Sequence, residues 1–200
     1  MSDPPERPEY ESAVERLDVE LGRKMASRRD SPVVQAASQA GKLGDQEPLY
    51  ALAGGLTLAG LVLRDRRLAL VGVRVGLAVF AADVVKSAMK RAFNRTRPHV
   101  LLDEGRYERG LGGSEEKPEQ SFPSGHVAGS IAAACAIRRV YPATSRYSFI
   151  VCAGLGWSRI SKGAHWPLDV AAGALAGFVA ETITDRLLVQ VVRRAPWPTR

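Results

Sequence analysis

Cysteine and histidine are scarce in this 200-residue chain, with two of the first and three of the second. Cys135 and Cys152 both fall in apolar runs. They form neither a CxxC pair nor a disulfide framework, so they read as small core or lipid-facing residues. Aromatic residues make up only 6% of the chain, and the cations are scattered between apolar runs with no recognition-helix or zinc-finger pattern. Nucleic acid is therefore excluded as the partner of the formal net charge of +7, which leaves a membrane surface or an acidic substrate. No cleavable signal peptide is expected, because residues 1–30 are dense in charge. Strand-like alternation of Val and Ile is nearly absent. So is any uncharged run of about 20 residues, the length that a plain membrane span wants.

What the chain has instead is a series of shorter apolar runs. Residues 49–63 are uncharged, and 68–89 are interrupted only by Arg74, Asp83 and Lys86. Residues 127–137, 147–157 and 168–183 follow, separated by the polar segment 90–120 and by charged turns such as Arg64 to Arg67 and Arg138 to Arg146. The mean hydropathy of −0.10 averages these runs with polar stretches. Any one run suits a buried core helix. Five in succession, rich in Gly and Ala and including Gly173-x-x-x-Gly177, predict an all-α membrane helical bundle of five clear apolar helices rather than a soluble one. Upstream, Tyr10, Val14, Leu17, Leu21 and Met25 recur at threes and fours between charges, so residues 9–29 predict an amphipathic helix in the membrane interface or on the protein. Residues 1–8 are expected to be disordered, and 32–39 form a short second helix after the Ser31-Pro32 break. The expected division is a polar N-terminal segment (1–44), a helical-bundle domain (45–185) and a basic tail (186–200).

Three constellations carry chemistry. Lys90-Arg91-Ala92-Phe93-Asn94-Arg95-Thr96-Arg97-Pro98 closes the second run with four cations. It is either a solvated basic flank or a phosphate clamp, with lysine as a point charge and arginine as a planar fork. Ser121-Phe122-Pro123-Ser124-Gly125-His126 opens the third run. Ser124 suits an N-cap, Gly125 permits close backbone approach, and the free first-turn N–H groups suit an anion. The plain reading is a capped helix start with a surface histidine. Ser158-Arg159-Ile160-Ser161-Lys162-Gly163-Ala164-His165-Trp166-Pro167-Leu168-Asp169 links the fourth run to the fifth. Pro167 suits a first helical turn, and Asp169, leaning toward the helix N-terminus, can reach back to His165. A carboxylate-backed histidine near Arg159 is a nucleophile for an anionic substrate, or else the stretch is a helix start with an acid on its dipole. His99 reads as incidental.

If successive helices alternate direction, all three constellations share one end of the bundle, and the basic turns share the other. His126, His165 and Asp169 also form a conceivable metal ligand set, but three nearby cations would repel a divalent ion and favour an oxyanion.

These residues resemble the type 2 phosphatidic acid phosphatases, lipid phosphate phosphatases that share a helical core with vanadium haloperoxidases. The family pattern is K-x6-RP, PSGH and SR-x5-H-x3-D. This chain has Lys90 to Arg97-Pro98, Pro123-Ser124-Gly125-His126, and Ser158-Arg159 to His165 to Asp169, in order and at full spacing over about residues 45–185. The resemblance implies that His165 attacks phosphorus to give a phosphohistidine, Asp169 orients and charges its ring, and His126 protonates the leaving oxygen. It implies that Lys90, Arg97, Ser124, Gly125 and Arg159 hold the phosphoryl oxygens with no metal or other cofactor. Membrane members typically have six spans. Here the charged segment 9–29 stands in place of the first.

The expected function is an integral membrane phosphatase acting on a lipid phosphate or diphosphate: a polyprenyl diphosphate, phosphatidic acid, a phosphatidylglycerol phosphate or a polyprenyl-phosphoryl sugar phosphate. Its partners are that lipid and the surrounding membrane, with no nucleic acid and with homo-oligomerisation left open. The alternatives are a vanadate-dependent haloperoxidase and a non-enzymatic scaffold or transporter. The expected location is the bacterial inner (plasma) membrane. The basic turns and tail, by the positive-inside rule, put the active site on the extracytoplasmic side.

Overall fold

The computed structural model describes residues 12–194. The expectations for residues 1–8, for Tyr10 and for the end of the basic tail lie outside them. The described helices are α1 (Ala13–Ala26), α2 (Pro32–Ala40), α3 (Gln46–Val62), α4 (Arg66–Ala92), α5 (Pro98–Glu104), α6 (Gly125–Val140), α7 (Ser145–Ser161) and α8 (Pro167–Arg194). The five apolar runs are α3, α4, α6, α7 and α8, and the all-α bundle is as expected. The segment 90–120 is more ordered than a polar loop. It holds α5 and a small antiparallel hairpin, β1 (Phe93–Arg95) with β2 (Arg109–Leu111), in which Asn94 pairs with Gly110.

Among the described residues, α4 alone is long and apolar enough to cross a membrane by length and composition, with a mean hydropathy of 2.1 over its best window. At 16 and 17 residues, α6, α3 and α7 reach about 24–26 Å at 1.5 Å per residue. That is short of a hydrocarbon core of about 30 Å. α8 has 28 residues but carries Asp169, Glu181, Asp185 and Arg186.

α6 is the central helix. It touches α3, α4, α7 and α8, and buries Val127, Ala128, Gly129 and the stretch Ala132 to Ala136. Small residues allow this crowding. A Cβ on Gly173 of α8 would stand 2.4 Å from the Ser124 carbonyl oxygen, and one on Gly177 would stand 2.2 Å from that of Ala128. The helices thus meet backbone to backbone, as Gly-x-x-x-Gly permits in lipid. Large apolar side chains such as Leu61, Phe80, Ile150, Leu175 and Phe178 point outward and are exposed. An apolar belt of that extent is unusual on a water-soluble monomer and suits a bilayer.

Charges inside the apolar runs are paired within the bundle. Arg139 binds the buried Glu181 carboxylate through Nε and Nη2, at 3.0 and 3.2 Å, and Asp185 accepts Arg74 and lies 3.5 Å from Arg139. An unpaired charge there would carry a desolvation penalty of several kcal/mol.

α1 starts where the Ser12 hydroxyl accepts the Glu15 amide at 3.1 Å, and α2 where Ser31 accepts Val34 N ahead of Pro32. α1 leaves a large apolar stripe outside. Its stripe Val14, Leu17 and Leu21 is 61, 65 and 50% exposed, while a mixed face of Glu15, Asp18, Val19, Gly22 and Ala26 is buried against the protein. Gly22 is needed there because a Cβ would stand 2.5 Å from the Trp166 ring.

Candidate active site

The end of α4, the start of α6 and the α7–α8 link meet at one end of the bundle, as alternating helix directions require. Between them is a cavity of about 230 Å³ lined by Lys90, Arg97, Gly125, His126, Arg159 and His165. Six of the eight residues singled out from the sequence therefore share one cavity. The other two, Ser124 and Asp169, are fully buried beside it. Asp45, Asp83 and Lys86 also line it.

His165 lies in the turn before α8 and is 3% exposed. Its Nδ1 is 2.7 Å from the Ser121 carbonyl oxygen. A carbonyl can only accept, so Nδ1 carries the proton and Nε2 keeps its lone pair. Burial pushes the His165 pKa well below its ordinary value, and the nearby Arg97 charge pushes the same way against the Ser121 hydrogen bond. The ring is neutral near pH 7, the state a nitrogen nucleophile needs.

Asp169 is not hydrogen-bonded to that ring. Its Oδ2 lies 3.9 Å from Nδ1, close enough for charge and too far for a hydrogen bond. The carboxylate instead accepts Trp166 N at 2.8 Å and the Ser121 hydroxyl at 2.5 Å through Oδ2, and Arg95 Nη1 at 3.0 Å through Oδ1. Asp169 thus fixes both the turn that bears His165 and the residue whose carbonyl holds its ring.

His126, in the first turn of α6, pairs through Nε2 with the Asp45 carboxylate, and Arg159 Nη1 approaches the same nitrogen at 3.3 Å. Arg159 Nη2 donates to the Ser38 carbonyl and hydroxyl at 2.7 and 3.3 Å. Lys90 donates to the Gln120 carbonyl at 3.2 Å. Ser124 occupies the N-cap position of α6 but its side chain makes no cap hydrogen bond; its amide instead donates to the Asp169 carbonyl at 2.9 Å. Arg97 Nε, Arg159 Nε and the Ser124 hydroxyl are buried with no partner. Buried polar atoms are nearly always hydrogen-bonded, so three orphans on three predicted phosphate ligands mark a site built to receive an oxyanion. Among the described residues, no group of three or more His, Cys, Asp or Glu side chains is gathered where it would hold a metal. His99 stands outside the cavity. Its amide and Nδ1 lie 3.0 and 3.2 Å from the Gly163 carbonyl, tying α5 to the turn before His165.

Several functional contacts were missed from sequence. Lys86 lines the cavity paired to Asp83 at 2.6 Å, and Tyr50 donates to the same carboxylate. Its signal was its place four residues before Lys90, on the same helix face. Arg95 sits at a variable position of the K-x6-RP pattern, yet it is 6% exposed and bonded to Asp18, Asp169 and Tyr107. Burial works against its charge, and Asp169, Tyr107 and Asp18 outweigh this to hold its pKa above the ordinary value. Asp45 and Asp18 had no sequence signal, because Asp45, just before α3, and Asp18, on α1, reach the site only through contacts far apart in sequence.

Over 110 residues the chain is 36% identical to proteins named lipid A 1-phosphatase from Rhizobium johnstonii and Rhizobium etli, matching 54% of this chain and 43 and 46% of theirs. The chain thus spans less than half the length of those relatives. It is 28% identical over 132 residues to the bacitracin transport permease protein BcrC of Bacillus licheniformis, covering 66% of this chain and 62% of that one. Two solved structures share the fold. Aquifex aeolicus LpxE has a TM-score of 0.57 at 21% identity, covering 85% of this chain and 95% of its own. The transmembrane PAP2-type phosphatidylglycerolphosphate phosphatase of Bacillus subtilis has 0.58 at 18%, covering 93 and 91%. The profile of the PAP2 superfamily matches residues 71–193, which hold all three motifs and every residue singled out for the site, and the chain belongs to that superfamily of type 2 phosphatidic acid phosphatases.

Proposed function

We propose that the protein is a membrane phosphatase that releases inorganic phosphate from a lipid phosphate or diphosphate through a phosphohistidine. The observation that carries this reading is the His165 ring, held with Nδ1 protonated and Nε2 free beside Lys90, Arg97 and Arg159. Nε2 attacks phosphorus, an N–P bond forms, and the lipid–oxygen bond to phosphorus breaks. His126, whose Nε2 faces the Asp45 carboxylate, gives its proton to the leaving oxygen. His126 then takes a proton from water, which attacks phosphorus, breaks the N–P bond and frees phosphate. The cations, the Ser124 hydroxyl and the Gly125 amide bind the three phosphoryl oxygens, the electrostatic role that dominates phosphoryl transfer.

The Rhizobium relatives are named for lipid A and the Bacillus subtilis structure for a phosphatidylglycerolphosphate, which supports an amphiphile whose phosphate lies at the membrane surface. The outward apolar stripe of α1 supports placing the N-terminal segment (1–44) along that surface, against the bundle domain (45–185). The basic turns opposite the cavity support an extracytoplasmic site in a bacterial inner membrane.

The test is a phosphate-release screen of detergent-purified protein against lipid A, phosphatidic acid, phosphatidylglycerol phosphate and undecaprenyl diphosphate. At least one is hydrolysed, and His165→Ala abolishes release without unfolding the protein. Full activity in that variant would refute the mechanism.

A further inference from the structure

The contacts around the nucleophile do not end at Asp169. Asp18, on the inner face of α1, is 5% exposed, and both its carboxylate oxygens serve other elements. Oδ1 accepts the Leu168 amide at 2.7 Å, one of the free N–H groups that open α8. Oδ2 accepts Arg95 Nη2 at 2.6 Å. The same guanidinium donates through Nη1 to Asp169 Oδ1 at 3.0 Å. Asp169 in turn accepts the Ser121 hydroxyl, and the Ser121 carbonyl accepts the His165 Nδ1 proton. Every member of this chain from Asp18 to His165 is less than 9% exposed. A planar fork pinned between two carboxylates has one orientation, which a lysine ammonium would not reproduce. Trp166, whose ring lies 5.4 Å from the Arg95 guanidinium, closes the other side.

We propose that Asp18 is a positioning residue for the nucleophile, acting through Arg95 and the start of α8, so that the docking of α1 sets the geometry of a catalytic centre whose other parts lie in the bundle. This rests on the phosphohistidine reading above. Asp18 lies outside residues 71–193 and outside the three motifs. A purely structural role would have Asp18 hold α1 in place and affect only stability. A positioning role affects the chemical step, and only while Arg95 is present to transmit it.

The experiment uses full-length protein in detergent, with dioctanoyl phosphatidate and the best lipid of the screen as substrates. Asp18→Asn, Arg95→Met, Arg95→Lys and the Asp18→Asn/Arg95→Met double variant are compared with wild type. Asp18→Asn lowers kcat at least about tenfold with KM changed less than about twofold, the split expected when a group acts only in the reaction step. Arg95→Lys loses a similar factor although it keeps the charge. The double variant is no slower than Arg95→Met alone. Wild-type kcat in Asp18→Asn, factors that multiply in the double variant, or wild-type kcat in Arg95→Lys would each overturn the proposal. If Asp18→Asn fails to fold, Arg95→Lys decides. A wild-type protein that releases no phosphate from any lipid overturns the phosphatase reading instead.

Discussion

Replacing Gly173 with alanine should cripple the proposed phosphate release while leaving the protein folded. The new Cβ would stand 2.4 Å from the Ser124 carbonyl oxygen, where ordinary contact begins near 3.4 Å, so the starts of α6 and α8 must part by about 1 Å. Neither side yields alone. The Ser124 carbonyl accepts the Ala128 amide at 3.1 Å, and the Ser124 amide is bonded to Asp169 at 2.9 Å. The displaced segments carry Gly125 and His126 on one side, and His165 and Asp169 on the other. A misplacement of about 1 Å costs up to about 100-fold in rate. That is about 2.7 kcal/mol of transition-state stabilisation. The packing cost is about 1–3 kcal/mol. Gly177→Ala makes a somewhat tighter clash, 2.2 Å from the Ala128 carbonyl oxygen, one turn deeper in the bundle. It should lose comparable stability and much less kcat. Gly154, with no atom within 4 Å of its would-be Cβ, is the neutral control. Melting temperature and phosphate release in detergent read both quantities. The reasoning fails if Gly173→Ala keeps kcat within about threefold of wild type, or if Gly177→Ala is the slower variant.

Two further predictions concern charge. Stability should fall as pH drops below about 6.5, because an unfolded His165 takes up a proton there while the buried ring, held well below that value, stays neutral. Above that pH His165 adds no pH dependence. Thermal unfolding between about pH 5 and 7.5 should show a shallower slope in His165→Gln, and an unchanged slope refutes the assignment. At the far end of the bundle, Arg139→Met strips the buried Glu181 of its two-point partner and should cost about 3 kcal/mol, the low end for a broken buried pair because the Arg139 side chain is 36% exposed. Arg139→Met with Glu181→Met should recover most of that loss in a melting experiment, and a double variant as unstable as the single one would show that the pair is not the cause.

The bundle was legible in the sequence because each of its five helices carries an apolar run between charged turns. The cavity was legible because Lys90, His126 and His165 sit where those runs begin or end, and helix alternation puts such positions at one end. The inward face of α1 was not. Its pattern of Val14, Leu17 and Leu21 marks an apolar stripe correctly, but periodicity does not say whether that stripe meets protein or lipid, and here Glu15 and Asp18 meet the protein. Asp45 and Arg95 were hidden for a related reason. Their roles come from contacts with His126 and Asp169, 81 and 74 positions away, and no local spacing encodes those. Asp169 was found at the right place and given too direct a task, since i to i+4 spacing brings it to 3.9 Å from the ring while Ser121 takes the hydrogen bond.

The hydrogen bond between His165 and Ser121 also bears on how the proposed phosphatase tolerates mutation. The acceptor is main chain, so no amino-acid replacement at position 121 can delete it. A scan that swaps side chains one at a time would score the losses at Asp169, Arg95 and the Ser121 hydroxyl, and would never register the atom that fixes the tautomer. Such an enzyme can drift at its periphery and keep its nucleophile correctly protonated for as long as the backbone at Ser121 stays in place. Its failures should therefore cluster at residues that move that backbone, and a partly impaired variant should be rescued by a second change that returns the peptide to its position.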